Sequence, residues 1–343
     1  MRFPPTAHPP SSDTLSLLLG VQPAVTTDDR HGAAGHAGRE TDDLPAGVPG
    51  ETRYRTVDGR QFHVVEAGPE GGELVVMLHG FPEFWYGWRD QIAPVAEAGY
   101  RVVVPDQRGY NRSAKPDRVS DYRIDQLAAD VIGLIDAYDH ETAAVVGHDW
   151  GGVVGWWLAL HHPSRVRRLV VANAPHPTVI RQTLRRDPTQ LARTSYAFAF
   201  QLPVVPERVS RAFGWRLPRT MMRRTAMPGS FDREDFRRYR AAWERDGAFT
   251  TMLHWYRANG RSRPEPSTDR VDVPTRVVWG AGDQFLESRM AHDSLDYCTD
   301  GRITRLEEAT HWLQHDVPVK VADAILDELG GPGGSRRARQ RPD

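Results

Sequence analysis

The chain has 343 residues, 39% of them hydrophobic and 26% charged, enough to bury one large core or two modest ones and too apolar for a disordered or fibrous chain. Its 44 basic and 45 acidic residues leave a formal charge of −1, so no global field favours nucleic acid or an anionic membrane as a partner. Cys298 is the single cysteine; it cannot form an internal disulfide or build a zinc cluster, and this usage suits a cytoplasmic protein. No run approaches the roughly 18 apolar residues of a membrane span, and a mean hydropathy of −0.55 predicts solubility.

Residues 1–50 hold seven prolines, six glycines and Phe3 as their only aromatic, too little apolar area to offset the entropy of ordering. They read as a disordered arm. The apolar run Leu15–Val21 follows only one positive charge, Arg2, and lies among prolines and Asp13, which argues against a secretion signal.

Short β-branched runs then recur: Leu74–Leu78, Arg101–Pro105, Ala143–Val146 and Arg167–Val171, the pattern of strands buried on both faces. Between them, Ile124, Leu127, Ala128, Val131, Leu134, Ile135 and Tyr138 repeat at spacings of three and four, one face of a helix. This alternation predicts right-handed crossovers and an α/β fold with a mostly parallel, doubly wound sheet. It stops after Asn173 and resumes at Thr275–Trp279, Arg302–Leu306 and a last helix, Val317–Leu329. The interrupting segment, Thr178–Arg270, carries 19 arginines against nine acidic residues, a shift that marks an inserted helical cap, or lid, of residues 178–270. The core is then 51–177 and 271–329, and 330–343 a solvated, disordered tail. Ligands lie at the carboxyl ends of such strands, so a cap there closes a pocket.

After the strand ending at Val146 comes Gly147-His148-Asp149-Trp150-Gly151-Gly152, then the helical run Val153–His161. This is the strand, sharp turn and helix of a nucleophile elbow, with Asp149 where a serine more often stands. Gly147 and Gly151 lack the Cβ atoms for which such a turn has no room, and a carboxylate at a helix N-terminus is favoured in its ionised form. An aspartate at this junction also suits a plain N-cap. Three companions favour chemistry. His79-Gly80-Phe81-Pro82 ends the strand Leu74–Leu78, where the Phe81 backbone N–H and that of Trp150 can form an oxyanion hole. Asp283, in Trp279-Gly280-Ala281-Gly282-Asp283, follows a later strand. His311, in Thr310-His311-Trp312, follows the next. The chain order nucleophile, acid, histidine is that of this fold. Asp283 as a helix cap, and His292 or His315 in place of His311, are the competing assignments.

These residues resemble the α/β-hydrolase superfamily over Arg53–Leu329 and, within it, the soluble-type epoxide hydrolases. HGFP, GHDWGG, WGAGD, ATHW and VVVPDQRGYNRSAKP (Val102–Pro116) carry the likeness; the first four are shared with haloalkane and haloacid dehalogenases that also use an aspartate. The cap separates them. SYAFAFQLPVVPE (Ser195–Glu207) and HWYRANG (His254–Gly260) resemble the cap motifs that supply two tyrosines, implying Tyr196 and Tyr256 in catalysis. As simple packing aromatics they would carry no such role.

The resemblance implies ring opening of a small-molecule epoxide by the Asp149 carboxylate, with Tyr196 and Tyr256 donating to the departing alkoxide. Water activated by His311 and Asp283 would then hydrolyse the ester while Phe81 and Trp150 stabilise the oxyanion. Phe81, Trp150, Tyr196 and Tyr256 would also contact the substrate. A vicinal diol results, with no metal and no organic cofactor. A halide leaves as a stable anion and needs no proton, so paired phenols argue against a dehalogenase; a silent ligand-binding protein would not need a complete triad. The expected assembly is a monomer or homodimer, without nucleic-acid or membrane partners.

Overall fold

A computed structural model describes residues 44–261 and 268–330. The arm up to residue 43, with Leu15–Val21, the cap residues 262–267 and the tail 331–343 lie outside the described residues. Leu44 and Val48, expected in the arm, pack against the core instead. Their spacing of four, with a turn closed by the Val48 N–H on the Pro45 carbonyl at 3.0 Å, gathers enough apolar area to order the segment.

Eight strands form one sheet: β1 (Glu51–Val57), β2 (Arg60–Ala67), β3 (Leu74–Leu78), β4 (Arg101–Pro105), β5 (Ala143–His148), β6 (Val166–Ala172), β7 (Thr275–Gly280) and β8 (Gly301–Leu306). Their spatial order is β1-β2-β4-β3-β5-β6-β7-β8. From β4 onward neighbours are parallel, whereas β1 with β2 and β2 with β4 are antiparallel. The sequence reading missed the β1–β2 hairpin. Its signal is Asp58-Gly59, both at positive φ (47° and 72°), the two-residue turn that suits twisted strands. The charged, alternating β1 lacks the all-apolar run of β3, whose five residues are all buried.

Thirteen α-helices lie among the described residues: α1 (Arg89–Glu97), α2 (Ile124–Ala137), α3 (Trp150–His161), α4 (Pro177–Arg186), α5 (Pro188–Arg193), α6 (Tyr196–Ala199), α7 (Val205–Ala212), α8 (Arg216–Thr225), α9 (Arg233–Glu244), α10 (Ala248–Arg261), α11 (Arg289–Leu295), α12 (Leu313–Asp316) and α13 (Pro318–Leu329). On α2 the apolar positions read from the sequence are buried, together with Asp130, which pairs with the buried Arg108. The helices α4–α10 lie between β6 and β7 in the chain. They are tied to the rest by buried bonds: the Trp243 indole donates to the Pro82 carbonyl at 2.6 Å, the Trp255 indole to that of Arg108 at 2.9 Å, and Asn259 to that of Tyr122 at 2.9 Å. None of the described helices is long and apolar enough to cross a membrane.

The sheet order reverses around β3, which has β4 on one side and β5 on the other. At such a switch point the loops leaving two adjacent strands part and open a crevice. Leu78 pairs with Gly147, so the ends of β3 and β5 are level there. The strand-to-helix turn fits only because of its glycines: a Cβ on Gly151 would lie 2.2 Å from the Leu78 carbonyl oxygen, and one on Gly147 2.3 Å from that of Gly151. Both contacts are with backbone, which cannot swing aside. Gly151→Ala should therefore cost about 2 kcal/mol or more of stability, read as a lower urea midpoint at unchanged m; an unmoved midpoint contradicts this account of the turn.

Candidate active site

Asp149 caps α3 in position but not in function. It sits at φ 49°, ψ −117°, and its side chain makes no capping hydrogen bond, so the N-cap assignment fails. A non-glycine residue is held there only when its surroundings impose it. Gly80 is part of those surroundings, since a Cβ on it would lie 2.5 Å from the Asp149 Cβ. The Phe81 N–H donates to Asp149 Oδ1 at 2.9 Å. The carboxylate is thus aimed away from its own helix and towards the loop after β3. Trp150 opens α3, and its backbone N–H is one of the helix's orphan donors at the same end.

Asp283 and His311 come to the same point. His311 Nδ1 bonds Asp283 Oδ2 at 2.8 Å, and its Nε2 lies 3.8 Å from Asp149 Oδ2. Asp283 does not cap a helix, because α11 starts only at Arg289. Its Oδ1 accepts from the N–H groups of Phe285 and Leu286 at 2.7 and 3.0 Å, and Oδ2 also accepts from the Asn173 amide at 2.8 Å. These bonds fix its orientation before it meets the imidazole. Burial pulls His311 towards neutrality, but the charge and hydrogen bond of Asp283, then the charges of Asp149 and Glu83, outweigh it and raise the pKa to about 9. Of the competing histidines, His292 is exposed on α11 and His315 is turned to Glu83 at 2.6 Å. His315 lies on the short α12, not at the start of the last helix.

Tyr196, the first residue of α6, and Tyr256, on α10, line a cavity of about 210 Å³ with Asp149 and Trp150. Apolar groups such as Val153, Trp157, Leu160 and Ile180 form most of its remaining wall. Tyr256 is buried with its ring edge-on to Phe81, Trp150 and Phe200 at 5.2, 5.1 and 5.0 Å. Burial raises the pKa of both phenols, and the nearby Asp149 charge adds to it, so both stay protonated at neutral pH. Asp149, Tyr196 and Tyr256 also border a second, smaller space of about 10 Å³, closed by Phe81, His311, Met221, Phe285 and Trp312. That is about the room one water requires. Among the described residues no group of three His, Cys, Asp or Glu is placed to hold a metal ion.

The sequence reading overlooked Glu83, which follows the His79–Pro82 motif and is wholly buried. Its carboxylate accepts from the Tyr239 hydroxyl at 2.8 Å and the Gln314 amide at 2.9 Å, and meets His148 Nδ1 at 3.1 Å. His148 Nε2 in turn bonds the His311 carbonyl at 2.8 Å. Burial works against the Glu83 charge, but His315 and His148 outweigh it and hold the carboxyl well below its ordinary range. A charged residue directly after an apolar strand-end motif is the sequence signal, because a carboxylate enters a core only where partners await it. Asp106, by contrast, is a strand-end brace that bonds His63 Nδ1 and Asn111 at 2.8 Å each.

The chain matches the α/β-hydrolase fold family over residues 73–318. It is 43% identical over 279 residues to the AB hydrolase superfamily protein YfhM of Bacillus subtilis, an alignment covering 81% of this chain and 97% of that one. Over 268 residues it is 36% identical to epoxide hydrolase 4 of Mus musculus, 76% of this chain and 74% of the relative. Among solved structures, an epoxide hydrolase of Bacillus megaterium in complex with an inhibitor superposes with a TM-score of 0.74 at 29% identity, covering 81% of this chain and all of that one.

Replacing Glu83 by Gln strands two histidines and a tyrosine around a neutral amide. Removing one partner of a buried charge cluster costs about 3–5 kcal/mol, which a denaturant midpoint would register. The Glu83 pKa is depressed, so its stabilising contribution is present above the ordinary carboxylate range and lost as pH falls below it. The variant should lose that acid-side slope; a slope equal to the parent's rules the assignment out.

Proposed function

Since the chain belongs to the α/β-hydrolase family and, within it, to the epoxide hydrolases, we propose that it converts an epoxide to a vicinal diol through an ester on Asp149. The observation that carries this reading is that one cavity holds the Asp149 carboxylate together with two protonated phenols, the half-buried Tyr196 and the buried Tyr256. A carboxylate attacks an sp³ carbon without prior deprotonation, which a hydroxyl nucleophile would require. As the C–O bond breaks, charge grows on the ring oxygen, and a phenol supplies the proton or short hydrogen bond that the alkoxide needs. The mostly apolar cavity suits a hydrophobic substituent on the ring. A carbon–halogen bond would leave both phenols without a task, which disfavours the dehalogenase reading.

Hydrolysis of the ester falls to His311 and Asp283. Asp283 fixes the imidazole through Nδ1, leaving Nε2 facing Asp149, and the 10 Å³ space beside both groups fits one attacking water. The Phe81 N–H, already bonded to Asp149 Oδ1, and the Trp150 N–H would stabilise the oxyanion that forms on the ester. The raised pKa of His311 gives this step a built-in sequence. In the resting site the Asp149 charge helps hold a proton on His311. Ester formation removes that charge, so the imidazole becomes a readier base once there is an ester to hydrolyse.

His311→Gln should therefore form the ester without releasing it, seen as a substrate-sized mass increase located on Asp149. An intact mass that never shifts sinks covalent attack. Joint replacement of Tyr196 and Tyr256 by Phe should slow ring opening of styrene oxide by about 100-fold or more while the thermal midpoint holds; halide release from a chloroalkane instead would favour the dehalogenase.

The parent enzyme should also be pH-sensitive. Hydrolysis draws on neutral His311 in the ester, where loss of the Asp149 charge leaves the imidazole below its resting pKa of about 9, and this neutral form grows scarcer as pH falls. Acid-quenched samples should then carry more ester at the lower pH; a fraction independent of pH removes His311 from the hydrolytic step.

A further inference from the structure

Eight of the eleven large hydrophobic side chains exposed among the described residues fall between Leu191 and Leu217, so their exposure is a property of one cap segment and not scatter. Helix α7 is built inside out. It buries its polar Glu207 and Ser210, with Glu207 paired to Arg257 at 2.8 Å, and exposes Val205 at 51% and Val209 at 37%. Phe213, which follows at the same spacing of four, is 57% exposed, so the three residues form one stripe along the helix and its C-cap. Leu202 and Val204 precede the stripe and Leu217 follows it, each about half exposed. A helix facing water does the reverse.

Along the chain from Arg208 to Phe231 the charge is of one sign. This stretch holds six arginines (Arg208, Arg211, Arg216, Arg219, Arg223 and Arg224) and no acidic residue. All six are exposed, and none forms an ion pair among the described residues. The overall charge of −1 conceals this local surplus.

We propose that this face of the cap docks on an anionic phospholipid surface, its Val205–Val209–Phe213 stripe at the boundary of headgroups and acyl chains and its arginines among the phosphates. A second copy of the chain fits less well: a two-fold interface would set this arginine-rich patch against the same patch, and the segment from Arg208 to Phe231 brings no acidic residue of its own to relieve it. Nucleic acid would use the arginines and leave the aliphatic stripe in water.

Sedimentation of the full chain with phosphatidylcholine vesicles, with and without phosphatidylglycerol, tests this. Binding should be roughly tenfold or more tighter with phosphatidylglycerol and weaken at high salt. Val205→Asp/Phe213→Asp and Arg208→Glu/Arg211→Glu should each abolish it with an unchanged thermal midpoint, which reads folding independently of any activity. Absent binding, equal binding to both vesicles, or a dimer that Phe213→Asp dissolves while vesicles are ignored would each overturn the proposal. Failure of epoxide turnover with lipid binding intact would refute the catalytic reading and leave the docking in place.

Discussion

The hydrogen bond from the Phe81 N–H to Asp149 Oδ1 joins the ends of two neighbouring strands, and the rest of the site is arranged around it. It exists because β3 and β5 end level at the sheet's switch point, because Gly147 and Gly151 leave room for backbones that any Cβ would force apart, and because Gly80 leaves room for the Asp149 side chain. The same crowding holds Asp149 at positive φ and turns its carboxylate out of the capping position. A side chain with a common structural use is thereby kept for the cavity.

Behind that carboxylate the site is organised in two layers of charge. Asp283 holds His311, and is itself held by Asn173 and two loop N–H groups. Glu83, buried with two histidines and a tyrosine, supports His148, which bonds the His311 backbone. Because Tyr239 belongs to the cap helix α9 and Gln314 to α12, this cluster ties the inserted helices to the segment that carries the histidine. Burial makes such a cluster costly unless every member is paired, so the cap and the His311 loop are constrained together.

The cap has two faces with different rules. Towards the sheet it places aromatic side chains over Asp149, where burial keeps phenols protonated. Away from it, α7 and the turn after it show valines and a phenylalanine to solvent, near arginines that form no ion pair among the described residues. The first face follows from the chemistry proposed for the cavity; the second does not, and that is why it points to a partner.

The sequence alone determined the α/β alternation, the elbow at Asp149 and the chain order of Asp283 and His311, because each is a local pattern: an apolar run, a glycine-bounded turn, a residue just past a strand end. Glu83 and the antiparallel β1–β2 hairpin were passed over although the strand-end motif and the Asp58-Gly59 turn marked their places, and the partners of Glu83 and the turned-out face of α7 were beyond the reach of the sequence. A lone charged residue and a short amphipathic helix take their meaning from neighbours distant in the chain. Glu83 acquires its role from Tyr239, Gln314 and His315, more than a hundred residues on. Only tertiary structure decides which buried charge is paired and which apolar face is left uncovered, since burial and pairing are properties of the assembled core and not of the local chain.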